Sequence, residues 1–170
     1  MMIRRFILSA CLFVSQLALA VPADVDTCFT PGDYCDIRII NAIDHAQRTI
    51  DVQAYQLTSQ PIISSLIAAN ERGIEISVIL DKTQARKKGF SPAQYLFSHH
   101  IPVWIDRKPA IAHNKVMIID DKLVITGSYN FTRNAQYRNA ENVVFITSQP
   151  VADRFRDNFY VRLSQSQAIQ

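Results

Sequence analysis

The sequence has little charge of one sign, few cysteines, few long apolar runs and no repeated or low-complexity stretch. Its 18 Lys and Arg stand against 15 Asp and Glu, a formal net charge of +3. That surplus is too small to mark a nucleic-acid or membrane partner by itself. Without linkers or repeats, tandem modules and solenoids are excluded. A length of 170 residues fits one domain with a full-sized core, and two would be cramped. With 48% hydrophobic and 19% charged residues, the composition is that of a globular chain and not a disordered one.

The main apolar run, Phe6 to Leu19, is short for a membrane-spanning helix of about 20 apolar residues. Arg4 and Arg5 precede it, and the small-x-small triplet Ala18-Leu19-Ala20 follows it. The pattern predicts a signal peptide over residues 1–20, cleaved after Ala20, with a retained anchor as the alternative. Residues 21–170 are then a single domain in the periplasm or outside the cell. Cleavage removes two arginines and leaves sixteen basic against fifteen acidic residues, so only local clusters can identify a partner. Of three cysteines, Cys11 leaves with the signal. Cys28 and Cys35 flank the turn sequence Thr30-Pro31-Gly32-Asp33 and predict a structural disulfide in an oxidising compartment. A two-ligand metal site lacks a nearby histidine.

Along the domain, strand-like and helix-like segments alternate. Strand patterns cover Val25 to Thr30, Thr49 to Leu57, Ile74 to Leu80, Ile101 to Ile105, Ala112 to Ile119, Leu123 to Thr126 and Asn142 to Thr147. Helical patterns cover Cys35 to Arg48, Pro61 to Arg72, Ser91 to His99, Gly127 to Tyr137 and Pro150 to Ser164, and nothing after Ser164 demands order. The fold class is α/β: a mixed, largely parallel sheet flanked by helices on both faces.

The chemistry concentrates in His113-Asn114-Lys115 and in Gly127-Ser128-Tyr129-Asn130. On a strand, His113 and Lys115 point to one face, with Cα atoms about 7 Å apart. A lysine in an apolar run is costly unless paired, and an anionic ligand would pair it. Gly127 permits a sharp turn, and Ser128 and Asn130 then stand near an expected helix start suited to a phosphate oxygen. Glu141 precedes an apolar strand and is a candidate to hold the second ring nitrogen of His113.

The pattern His-x-Lys-x4-Asp-x6-Gly-Ser-x-Asn, met by His113, Lys115, Asp120, Gly127, Ser128 and Asn130, resembles the signature of the phospholipase D superfamily. Asn139-Ala140-Glu141-Asn142, Tyr55 with Leu57-Thr58-Ser59, Arg72-Gly73-Ile74, Leu80-Asp81 and Ile101-Pro102-Val103 are similar to its small bacterial endonuclease branch known as Nuc. The resemblance implies a phosphodiesterase in which His113 attacks phosphorus and forms a phosphohistidine. Lys115 and Asn130 hold the non-bridging oxygens, Ser128 supports them, Glu141 orients the nucleophilic ring, and Asp120 is counted with the catalytic residues His113, Lys115 and Glu141 in a supporting part, mainly by shaping the turn after the motif strand. It calls for no metal and no cofactor. The motif occurs once, and His45, His99 and His100 lack its partners. A two-fold homodimer with two facing copies of His113 is therefore expected.

The expected substrate is DNA, with RNA as a second candidate. Lys82, Arg86, Lys87 and Lys88, and also Arg107 and Lys108, follow strands and are candidates for DNA-backbone contact, or else solvated loop residues. The alternative is a phospholipase D-type hydrolase acting on phospholipid. It would need an apolar entry surface, for which Tyr95-Leu96-Phe97 is the sole candidate and is read as core.

Overall fold

The computed structural model describes residues 22–85 and 89–169. The signal peptide expected over residues 1–20, and Arg86, Lys87 and Lys88, lie outside the described residues. In chain order the elements are β1 (Asp24–Thr30), α1 (Cys35–Asp44), β2 (Thr49–Ala54), α2 (Gln60–Glu71), β3 (Glu75–Asp81), α3 (Pro92–Ser98), β4 (Val103–Asp106), β5 (Lys115–Ile119), β6 (Leu123–Gly127), α4 (Arg133–Tyr137), β7 (Glu141–Thr147), α5 (Gln149–Leu163) and β8 (Gln167–Ala168).

The eight strands form one sheet in the order β1-β7-β6-β5-β2-β3-β4-β8. The sheet is mixed and covered on both faces, as the sequence predicts, but its balance of directions differs from the expectation. Only β2–β3 and β3–β4 pair in parallel, and the other five pairings are antiparallel. Helices α2 and α3 return the chain to the same end of the sheet between β2, β3 and β4, which parallel pairing requires. From β5 to β6 the chain reverses directly through Asp120 and Asp121, both at positive φ.

Helices α1 to α4 cover one face, where Ile39, Ile43, Ile62, Leu66, Leu96 and Ala135 join the main core. Helix α5 covers the other, packing Ala152 and Phe159 against Val116, Ile118 and Val124. Strand β5 is thus buried on both sides: Met117 and Ile119 face the main core while Val116 and Ile118 face α5. That explains its unbroken apolar sequence. Each such fully buried aliphatic side chain contributes about 1.5–3 kcal/mol.

Local devices fix the margins. Cys28 and Cys35 form the expected disulfide, with Cα atoms 5.7 Å apart. The turn between them closes through Asp33, whose N–H donates to the Phe29 carbonyl (3.0 Å) and whose carboxylate accepts from the Phe29 N–H (2.9 Å). Ser91 caps α3 by accepting from the Gln94 N–H. Residues 165–169 are ordered, contrary to expectation: β8 pairs with β4, and the Ile169 N–H donates to the Val103 carbonyl at 2.9 Å. This short strand covers an edge that β4 would otherwise expose. Arg162 of α5 donates to the buried Asp106 at the end of β4, which locks the helix across the sheet.

Gly127 ends β6 at φ 147°, and a Cβ there would lie 2.2 Å from the Asn142 carbonyl oxygen. Gly127→Ala is expected to lower the unfolding free energy by about 2–4 kcal/mol, from backbone strain and forced separation of β6 from β7. Chemical denaturation measures this, and an unchanged midpoint would contradict so close an approach.

Candidate active site

The sheet topology gathers the motif at one edge. Lys115 opens β5 opposite Ala54, the last residue of β2. The next strand, β6, ends there at Gly127, and β7 begins there at Glu141. The parallel strands β3 and β4 end on the same side, so Lys82, Arg107 and Lys108 follow them into loops on that side, where all three are exposed. Ligands of α/β sheets gather beyond the carboxyl ends of parallel strands.

His113 stands just before β5, exposed, with its ring 4.7 Å from the Tyr55 ring. Lys115 is 7% exposed, and its Nζ donates to the His113 carbonyl at 2.9 Å and lies 5.2 Å from the Tyr55 ring centre. Among the described residues it has no ion pair. Burial lowers its pKa from the ordinary lysine value, and the charge of Glu141 restores part of the loss. An ammonium and an imidazole therefore share one rim, with donors left over for an anion.

Glu141 lies on the same face, but it does not meet the His113 ring of its own chain. Its Oε2 accepts from the Ser128 hydroxyl at 2.5 Å and its Oε1 from the Asn139 amide at 2.8 Å. Ser128 in turn accepts from the Asn142 N–H at 3.0 Å. The expected contact between Glu141 and His113 within one chain is thus absent among the described residues, because Ser128 and Asn139 hold the carboxylate. The helix start expected around Ser128 falls later. Helix α4 begins at Arg133, and its cap is Thr132, which accepts from the Ala135 N–H at 3.2 Å. Ser128 orients a carboxylate and caps no helix.

Asn130 is fixed by backbone bonds that join its segment to the end of β2. The Phe131 N–H donates to the Gln56 carbonyl (3.1 Å), and the Thr58 and Ser59 N–H groups donate to the Phe131 carbonyl (2.9 Å each). The Asn130 Oδ1 is enclosed and accepts no hydrogen bond from the described residues.

Asp120 sits at the opposite end of β5, about 16 Å along the strand from Lys115. Its carboxylate accepts from the N–H groups of Gln47 (2.9 Å), Arg48 (2.7 Å) and Thr49 (3.1 Å), and its own N–H donates to the Thr49 carbonyl (3.0 Å). It ties the α1–β2 turn to the β5–β6 turn. This position fits the expected shaping of that turn but not the expected place among the catalytic residues, because the Asp120 carboxylate is bound to the α1–β2 turn at the far end of β5 from His113.

Two residues at the site had only weak signals in the sequence. Tyr55 is a strand-end aromatic whose ring lies beside both His113 and Lys115. Asp81, 1% exposed, accepts from the Thr83 N–H (2.9 Å) and from the Ala112 N–H (2.8 Å), the residue before His113. Burial pushes its carboxyl up, but these donors outweigh it and hold the pKa below the ordinary value. Its sequence signals were an acid ending an apolar strand and the likeness of Leu80-Asp81 to the Nuc branch, neither of which assigned it a role.

Lys115→Ala and Asp120→Ala are expected to fail in opposite ways. Asp120→Ala should lower stability by about 2–4 kcal/mol, losing charge-assisted bonds at a positive-φ position, yet keep phosphodiester turnover within about threefold. Lys115→Ala should fold normally and lose turnover by about a hundredfold or more. Thermal melts and a chromogenic phosphodiester assay separate them, and an equal loss of turnover would place Asp120 in the chemistry.

Comparison with known proteins agrees with this geometry. Residues 39–162 match the family model described as cardiolipin synthase, PLD-like domain. A phospholipase D of Rickettsia prowazekii is 42% identical over 147 residues, covering 86% of this chain and 71% of that protein. The crystal structure of Nuc from Salmonella typhimurium, a phospholipase D family member, superposes with a TM-score of 0.80 at 29% identity, covering 88% of this chain and 99% of that one. NucT from Helicobacter pylori shares the fold, with a TM-score of 0.79 at 21% identity over 87% of this chain and all of that one. By its sequence, its sheet and the setting of its single motif, the chain belongs to the phospholipase D superfamily of phosphodiester hydrolases.

Proposed function

We propose that the protein is an exported, metal-independent endonuclease that cleaves DNA, and RNA as a second substrate, at a site completed by a second copy of the chain. The observation that carries the nucleic-acid reading is the polarity of the walls around the motif. Gln56, Thr58, Asn130, Arg133, Asn134 and Asn139 line the adjoining cavity, and among the described residues its apolar wall is limited to Phe90 and Pro92, too little to receive an acyl chain. Lys82, Arg107 and Lys108 are cations on the same side for a polyanionic backbone.

The phosphoryl group docks where Lys115 and Asn130 donate to its non-bridging oxygens, which gain charge in the transition state. The His113 ring nitrogen attacks phosphorus as the bond to the leaving oxygen breaks. The partner copy's histidine gives that oxygen its proton. Water then attacks phosphorus, loses a proton to the same histidine, and the nitrogen–phosphorus bond breaks to regenerate His113. The reading calls on no cofactor. Two facts support the dimer: one chain has one motif, and Glu141 is held ready yet meets no histidine of its own chain. A carboxylate set by Ser128 and Asn139 suits the histidine of a facing copy.

A phospholipid substrate is the second reading, favoured by the name of the Rickettsia relative. Tyr95 and Phe97 are in fact part-exposed while Leu96 is core. The apolar groove lined by Phe97, Val103 and Trp104, however, lies beside the start of β4, away from the edge that carries His113.

The test uses the full chain after export, with plasmid DNA, RNA and phosphatidylcholine vesicles in excess EDTA beside His113→Ala. The reading expects DNA nicking that falls by about a thousandfold or more in the variant, and sedimentation at twice the chain mass. Turnover of phosphatidylcholine alone, or a stable active monomer, contradicts it.

A further inference from the structure

Beside Asn130 opens a cavity of about 390 Å³, within the range of small-molecule sites. Gln56, Gln84, Asn130 and Asn134 line it with amides, and Arg133 and Phe90 also contribute to its wall. No lining residue is a carboxylate. Among the described residues the wall thus offers neutral donors and acceptors together with the Arg133 guanidinium and the Phe90 ring. Phe90 is about half exposed, at 48%, so its ring is available to a ligand.

We propose that this cavity is a nucleobase subsite that takes the base next to the scissile phosphodiester. The proposal rests on the nuclease reading above and names the part of the substrate bound beyond the phosphate. An acyl chain would meet polar walls there and leave their donors and acceptors unpaired. A cationic headgroup would find no carboxylate and would meet Arg133. A planar, neutral heterocycle with donors and acceptors on its edge matches the amides, and its flat face matches Phe90.

Asn130 links the two halves of the site. Its Oδ1 is enclosed without a hydrogen-bond partner among the described residues, which is costly for a buried carbonyl-type oxygen. Asn130 also lines the cavity, so its side chain stands between the motif and a base bound there. Base binding and phosphate positioning would then share one side chain. A base paired and stacked in a duplex cannot enter such a recess without being extruded, so single-stranded substrate is favoured over duplex.

The experiment compares two esters with the same leaving group, thymidine 4-nitrophenyl phosphate (3′ and 5′ isomers) and methyl 4-nitrophenyl phosphate. The full chain is expected to turn over one thymidine isomer with kcat/KM about tenfold or more above the base-free ester. Phe90→Ala and Asn134→Ala should each remove most of that advantage and leave the base-free rate within about twofold. Equal rates on base-bearing and base-free esters, or equal losses on both in the variants, overturn the subsite. No turnover of any ester by the unaltered chain instead sinks the phosphodiesterase chemistry. Calorimetry then still decides the subsite: thymidine 5′-monophosphate must bind more tightly than inorganic phosphate, with the difference lost in Phe90→Ala, and equal affinities refute it.

Discussion

A lysine ammonium, that of Lys115, is held nearly out of solvent at the edge of the sheet with no carboxylate paired to it among the described residues. Its immediate company is the His113 carbonyl and the Tyr55 ring, which leave its charge largely uncompensated. Burying a cation in this way costs stability, and the cost is recovered only when an anion arrives. The sign follows from linkage. The pKa of Lys115 in the folded chain is depressed, so the penalty is present below that pKa and is relieved as pH rises through it toward the value of the free side chain. The fold tolerates the penalty because β5 is otherwise apolar and buried on both faces.

The rest of the site exists to set the neighbours of that charge. Parallel crossovers bring β2, β3 and β4 to one edge, and the antiparallel run β5-β6-β7 brings His113, Gly127 and Glu141 to the same edge. Asp81 holds the backbone entering His113, and the Gln56–Phe131 bonds hold the backbone around Asn130. Asp120, though part of the same motif, secures the far end of β5 by binding three backbone N–H groups. The motif thus spans both ends of one strand, with His113 and Lys115 at one end and the backbone-binding Asp120 at the other.

Much of this was legible from residue types and spacing. The alternation of elements, the disulfide, Gly127 and the His113–Lys115 pair were all readable because each depends on local geometry. Strand direction was not, since it depends on which strand meets which. An apolar run such as Val116 to Ile119 reads alike in either direction. Strand β8 was invisible because two residues carry no pattern and are held by β4. Ser128 was misplaced at a helix start because its partner, Glu141, is thirteen residues away and across a strand pair. Asp81 and Tyr55 reach the site only through pairings between distant segments.

On our reading, Lys115 is an unfinished ion pair awaiting a phosphoryl group. Thermal unfolding of the full chain and of Lys115→Met, with and without millimolar inorganic phosphate, tests it most directly. The claim predicts that Lys115→Met without phosphate is at least as stable as the unaltered chain, and that phosphate raises the melting temperature of the unaltered chain by about 2–5 °C while leaving the variant unmoved. Equal stabilisation of both by phosphate, or a marked loss of stability in Lys115→Met alone, would contradict it.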